Sequence, residues 1–96
     1  MVITDIVISG EKHQGAGQGV ITILFTDGTN TINIIVADNT DAPINLAIPF
    51  AGRWRGWLDA RIDFTTSQAN DVTVSIGYYF LSGEGVLSFA DWDALR

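Results

Sequence analysis

The chain has 96 residues, of which 47% are hydrophobic and 17% charged, and its net charge is −6. This length predicts a single domain over residues 1–96. The apolar content excludes a disordered protein, and the absence of cysteine excludes disulfides and thiolate zinc sites. The acidic balance has the wrong sign for a dedicated nucleic-acid-binding protein.

The first residues lack the features of an export signal. Residues 1–5 contain no basic side chain, and Asp5 interrupts the apolar stretch. No run approaches the roughly 20 apolar residues that span a bilayer. We therefore expect a product of the cytoplasm without signal peptide or transmembrane segment, and we expect neither a membrane nor a nucleic acid as its partner.

The residue types favour strands over helices. Isoleucine, valine and threonine occupy 28 of the 96 positions, whereas lysine and glutamate together occupy three. β-Branched side chains are stiff at χ1 and pack well on pleated surfaces. A helical protein would need more lysine and glutamate to coat its surface. These counts predict an all-β protein.

Period-two alternation then predicts about seven strands, which in chain order are residues 2–9, 21–26, 32–36, 44–50, 58–64, 72–81 and 86–89. Asp27-Gly28 predicts a tight hairpin, and polar segments predict connections at 38–43, 67–71 and 82–85. Residues 91–96 predict a short C-terminal helical turn at most, with Asp91 as N-cap. The regular spacing of short strands predicts an antiparallel β-sandwich, jelly-roll-like in architecture.

The predicted strand faces leave apolar residues on the outside. Ile32, Ile34 and Val36 form one inward row, and residues 58, 60, 62 and 64 form another. The outward apolar positions are Leu24, Ile35, Trp57, Tyr79 and Leu81. Exposed apolar patches usually mark contact surfaces. We therefore expect a homo-oligomer, or a subunit docked in a larger particle.

Residues 11–19 form a polar, glycine-rich segment between the first two strands. Its G-x-G-x-G spacing and the strand that follows do not match a phosphate-binding loop, which needs a helix N-terminus. We expect a long loop that becomes ordered against a neighbour, with Glu11, Lys12, His13 and Gln14 as docking residues. His13 is the sole histidine, and no nucleophile or orienting partner is legible around it.

The acidic residues do not predict catalysis or metal binding. Asp59 and Asp63 would lie roughly 13 Å apart on one strand face, beyond the roughly 6.5–9.5 Å of inverting glycosidases. Arg61 between them predicts a surface charge ladder instead. Asp38 and Asp41 lack the spacing of a calcium loop, and such turns form for local reasons. We expect no catalytic residue, no metal, no cofactor and no enzyme activity.

The segment Arg53-Trp54-Arg55-Gly56-Trp57 is the most unusual. The acidity of the chain disfavours nucleic-acid binding by this segment. Three interpretations remain: a platform on which sugars stack, a contact with another protein, or tryptophans packed on the core beneath the aliphatic stems of the arginines. We expect an interface or ligand platform that comprises Arg53, Trp54, Arg55, Trp57, Arg61, Tyr79, Leu81 and Trp92.

These features together resemble small phage virion proteins. The chain is short, all-β and cysteine-free, poor in lysine and glutamate, and rich in isoleucine, threonine, asparagine and glycine. In this composition and strand pattern it is similar to jelly-roll head-decoration, spike-base and fibre-type subunits. The resemblance implies a non-enzymatic structural protein of the virion, trimeric or pentameric, docked on other virion proteins of a capsid or tail surface. The alternative is a carbohydrate-binding β-sandwich that holds a surface glycan on Trp54, Trp57 and Trp92.

Overall fold

The computed structural model describes residues 1–66, 72–80 and 86–95, with only the backbone for 51–53. These residues form six strands and one helix: β1 (Val2–Gly10), β2 (Val20–Thr26), β3 (Thr31–Asp38), β4 (Ile44–Arg55), β5 (Arg61–Thr66), β6 (Val72–Tyr79) and α1 (Phe89–Leu95). The helix in the described part of the chain, α1, lacks the length and hydropathy needed to cross a membrane.

The strands form two antiparallel sheets of three strands each, with the orders β4-β1-β6 and β3-β2-β5. The prediction of an all-β antiparallel sandwich is confirmed. The chain changes sheet at every connection except the β2–β3 hairpin. In an eight-stranded jelly roll the sheet orders are B-I-D-G and C-H-E-F, so β1 to β6 follow the order of strands D to I. The positions of strands B and C lie beyond β6 and β5.

The core lies between the two central strands. Ile3, Ile6 and Ile8 of β1 are fully buried, and so are the three inward residues of β2, which are Ile21, Ile23 and Phe25. The register of β1 shifts between Ile3 and Asp5, which leaves Thr4 without a partner. This bulge puts Ile3 and Ile6 on the same face despite their odd spacing.

A second bulge corrects the predicted faces of β3. Ile23 pairs with Ile35 and Leu24 pairs with Asn33, so Ile34 is the extra residue. Ile35 therefore points inward, although alternation predicted it outward. Val36, predicted inward, points outward and is 61% exposed. One inserted residue reverses every face that follows it, because side chains alternate along a strand.

The connection between β4 and β5 also differs from the prediction. The strand predicted over 58–64 begins only at Arg61, and residues 57–60 form a turn in which the Ala60 amide donates to the Trp57 carbonyl (3.1 Å). Asp59 has a φ of 65° there. Trp57 is buried and Leu58 is exposed, the reverse of the predicted faces.

A helix begins where the last strand was predicted. Residues 86–88 form no strand, and Phe89 begins α1. The Ser88 hydroxyl accepts the Asp91 amide (3.3 Å), so Ser88 caps the helix and Asp91 occupies its third position. The prediction of Asp91 as N-cap is wrong by three residues. Alternation in a four-residue window does not distinguish a strand from the first turn of a helix.

Candidate functional site: tryptophan cluster, polar loop and uncovered edge

Trp57 is part of the core. Its side chain is 2% exposed, and its ring centroid lies 6.0 Å from Phe25 and 4.8 Å from both Phe89 and Trp92. Its Nε1 donates to Asp27 Oδ2 at 2.8 Å. A ring enclosed in this way has no free face for a sugar, so the expectation of Trp57 in a ligand platform is wrong. Sequence periodicity missed its burial because the turn at 57–60 breaks the strand alternation.

The other platform residues do not gather on one exposed plane. Trp54 is half-buried against Phe25 and Phe50, with ring centroids 6.5 and 6.3 Å away. Trp92 is half-buried, and its Nε1 donates to the Arg55 carbonyl at 2.6 Å. These two tryptophans hold α1 and β4 on the core. Arg55 is exposed, whereas the side chain of Arg53 lies outside the described residues.

Arg61 and Asp63 form the ion pair of the predicted charge ladder. Arg61 Nε lies 3.4 Å from Asp63 Oδ2 on the outer face of β5, and both side chains are about half exposed (59% and 47%). Asp59 does not join them because it lies in the turn before the strand. An exposed pair of this kind contributes little to stability.

The carboxylate of Asp27 accepts four hydrogen bonds, although the sequence predicted only its place in a hairpin turn. Its Oδ1 accepts the amides of Thr29 and Asn30 at 2.8 and 2.6 Å, and its Oδ2 accepts the Asn30 side chain and the Trp57 indole. These hydrogen bonds, led by those from Asn30 and Thr29, hold the pKa of Asp27 well below its ordinary value. The carboxylate thus closes the β2–β3 turn and fixes Trp57 beneath it.

Hydrogen bonds within the chain hold both ends of the glycine-rich loop. Asn39 is fully buried and connects both ends of the loop: its Nδ2 donates to the Glu11 carbonyl, its amide to the Gly19 carbonyl, and its carbonyl accepts the His13 amide, all at 2.9 Å. The Gly19 amide also donates to Thr40 Oγ1. Glu11, Lys12 and Gln14, the other predicted docking residues, are exposed.

His13 is buried beneath this loop with 8% of its surface exposed, so the prediction of His13 as a docking residue is wrong. Its Nε2 has no hydrogen-bond partner among the described residues.

Asp38, at the end of β3, accepts hydrogen bonds from Thr40 that lower the pKa of its carboxyl. In the described part of the chain no three His, Asp or Glu side chains converge as a metal site.

The outer faces of the two sheets differ from the prediction in both directions, because Val36 joins the outer face of β3 and is 61% exposed. Leu24 is half-buried, and Ile35 points inward. Leu81 lies outside the described residues. The outer face of β4-β1-β6 holds Val7 and the exposed Tyr79 together with small or polar side chains, among them Ser9, Asn45, Ala47, Thr73 and Ser75.

The exposed aromatic residues among those described lie along or directly after two outermost strands, β5 and β6. Phe64 of β5 pairs with Ile23 and Tyr78 of β6 pairs with Ile3, so both rings point toward the inside of the sandwich. They are nevertheless 56% and 54% exposed. Tyr79 and Phe80 are exposed beside them, and the Tyr78 and Phe80 rings are in contact with centroids 5.5 Å apart. In the part of the chain that the structure describes, the interior is therefore uncovered at β5 and β6.

Comparison with models of protein families, with curated proteins and with solved structures gave no match.

Proposed function

We propose that the protein is a non-enzymatic structural subunit of a phage virion, of the head-decoration, spike-base or fibre type. It acts by binding copies of itself and by docking on a capsid or tail surface. The observation that carries this proposal is the uncovered interior at β5 and β6, where Phe64 and Tyr78 point inward and remain more than half exposed. Monomeric proteins rarely expose contiguous apolar patches larger than a few hundred Å², and aromatic residues are enriched at interfaces.

The strand order adds support to this proposal. Jelly rolls are frequent among viral capsid domains, although lectins share the architecture. The burial of Trp57 and the packing of the half-buried Trp54 and Trp92 weigh against the carbohydrate-binding alternative, which needs exposed rings. The association proposal itself loses Ile35, which points inward, and Trp57, which is buried, but it keeps the exposed Tyr79.

The proposal is tested on particles and on the purified chain. Particles from a producing culture are separated on a density gradient, and an antibody to the chain locates it in the fractions. We expect the protein in the particle band, at a fixed ratio to the major shell protein, and multiple copies per complex for the purified chain by light scattering. A chain that stays at the top of the gradient while intact particles band below it contradicts a virion role.

A further inference from the structure

Three of the four outermost strands carry features that prevent edge-to-edge pairing. The bulge at Ile34 interrupts β3, Pro49 and a register shift interrupt β4, and the Arg61–Asp63 ion pair places charges on β5. Bulges, prolines and charges are the devices by which natural sheets protect their edges.

The fourth, β6, carries none of these features. From Val72 to Phe80 the sequence has no charged residue and no proline, and β6 itself contributes no extra residue where its register with β1 shifts. Its outer edge has no strand partner among the described residues. In a complete jelly roll strand B would pair at this edge. The inward Tyr78 is more than half exposed here.

We infer that a second copy of this chain covers the edge, with β6 pairing antiparallel to β6 of the other copy about a two-fold axis. This inference rests on the self-association proposed above and assigns it a surface. It replaces the expected three- or five-fold symmetry at this contact, because a strand that pairs with its own copy has two-fold symmetry.

In a register centred on Ile76, the inward side chains of both strands lie on the same face of the joined sheet. Residues directly opposite each other in an antiparallel pair share a face. In this register Ile76 meets its own copy and Val74 meets Tyr78 of the second copy, so inward residues meet inward residues. The result is a continuous six-stranded sheet.

The surface at this edge is adequate for a specific contact. Tyr78, Tyr79 and Phe80 are 54%, 46% and 69% exposed. Aromatic side chains bury roughly 150–250 Å² each, so these rings alone hold roughly 300 Å² per copy. The strand backbone and the half-buried Val74 and Ile76 add to this area. The total approaches the roughly 1,000 Å² of a genuine interface.

The charge distribution permits the contact despite the net charge of −6 per chain. The nearest described carboxylate on the same sheet is Asp5 of β1, opposite Gly77. Two copies of Asp5 would lie three strand spacings apart, roughly 14 Å. This exceeds the Debye length of about 8 Å at physiological ionic strength.

Lysine substitutions on either side of Val7 test the inference. Ser75 and Ala47 are both exposed on the outer face and both pair with Val7, Ser75 from β6 and Ala47 from β4. In the proposed register the two copies of Ser75 are diagonal neighbours, roughly 7–8 Å apart. Ser75→Lys is therefore expected to raise the dimer dissociation constant about tenfold or more. Ala47→Lys is expected to leave it unchanged.

The dissociation constants are measured by sedimentation equilibrium, and circular dichroism checks that each variant retains its strands. A charge exchange gives a second readout: Ser75→Asp alone dissociates as Ser75→Lys does, and an equimolar mixture of the two variants restores the dimer. A wild-type mass of one chain overturns this pairing and the proposed self-association together. A multimer that Ser75→Lys leaves intact, or one of three or five chains, overturns the pairing alone.

Discussion

Alanine substitutions at two phenylalanines on the inner face of one sheet measure how open the sandwich is. Phe25 of β2 is fully buried, and its ring lies 6.0 Å from that of Trp57 and 6.5 Å from that of Trp54. Phe64 of β5 faces the same interior but is 56% exposed. The same chemical change is thus made once in the core and once at its uncovered side.

The structure predicts different losses of unfolding free energy for the two variants. Truncation of a buried phenylalanine to alanine costs about 3–5 kcal/mol, and the loss of two aromatic neighbours puts Phe25→Ala at the upper end. Less than half of the Phe64 surface is buried, so Phe64→Ala is expected to cost a correspondingly smaller free energy of unfolding, about 1–2 kcal/mol. For a domain of this size, 1 kcal/mol lowers Tm by about 4–8 °C.

Urea unfolding at low micromolar concentration, followed by tryptophan fluorescence, gives both free energies. At concentrations where copies associate, the cost of Phe64→Ala is expected to rise if association covers β5 as well as β6. Equal losses for the two variants in the dissociated chain would refute the description of an open sandwich, because Phe64 would then be as buried as Phe25.

Two further predictions concern the polar contacts around Gly19 and around Asp27. Gly19→Ala is expected to lower the free energy of unfolding by about 1–3 kcal/mol, because the added Cβ would collide with Asn39 Oδ1 and His13. Thermal unfolding measures this loss. Ala16→Gly, in the exposed part of the same loop, is the control. Because hydrogen bonds lower the pKa of Asp27 from 3.8, its stabilisation is complete above pH about 4 and is lost on acidification. The unfolding free energy of Asp27→Asn should therefore fall less steeply on acid titration than that of wild type or of the control variant Asp41→Asn. An unchanged pH profile contradicts the stabilising role of the Asp27 carboxylate.

The local pattern of the sequence determined the fold class and most strand positions. β-Branched residues in alternation place the inward row of β2 at Ile21, Ile23 and Phe25, all of which are buried. The signal is reliable here because each strand has one face toward the core and period two records which face that is. Turn residues such as Asp27-Gly28 mark where strands end for equally local reasons.

Tertiary structure decided what alternation does not record. The bulges at Thr4 and Ile34 depend on pairing with neighbouring strands, and each reverses the faces beyond it. The burial of Trp57 follows from contacts with Asp27, distant in sequence, and with α1.

Residue types alone also do not place the candidate site. Composition predicted an excess of apolar surface, but strand order determines which strands are outermost. Tyr78 has the inward parity of a core residue and is exposed only because no described strand lies beyond β6. Side-chain alternation is set by bonds along the chain, whereas burial is set by what packs on the far side, and only the assembled sheets decide that.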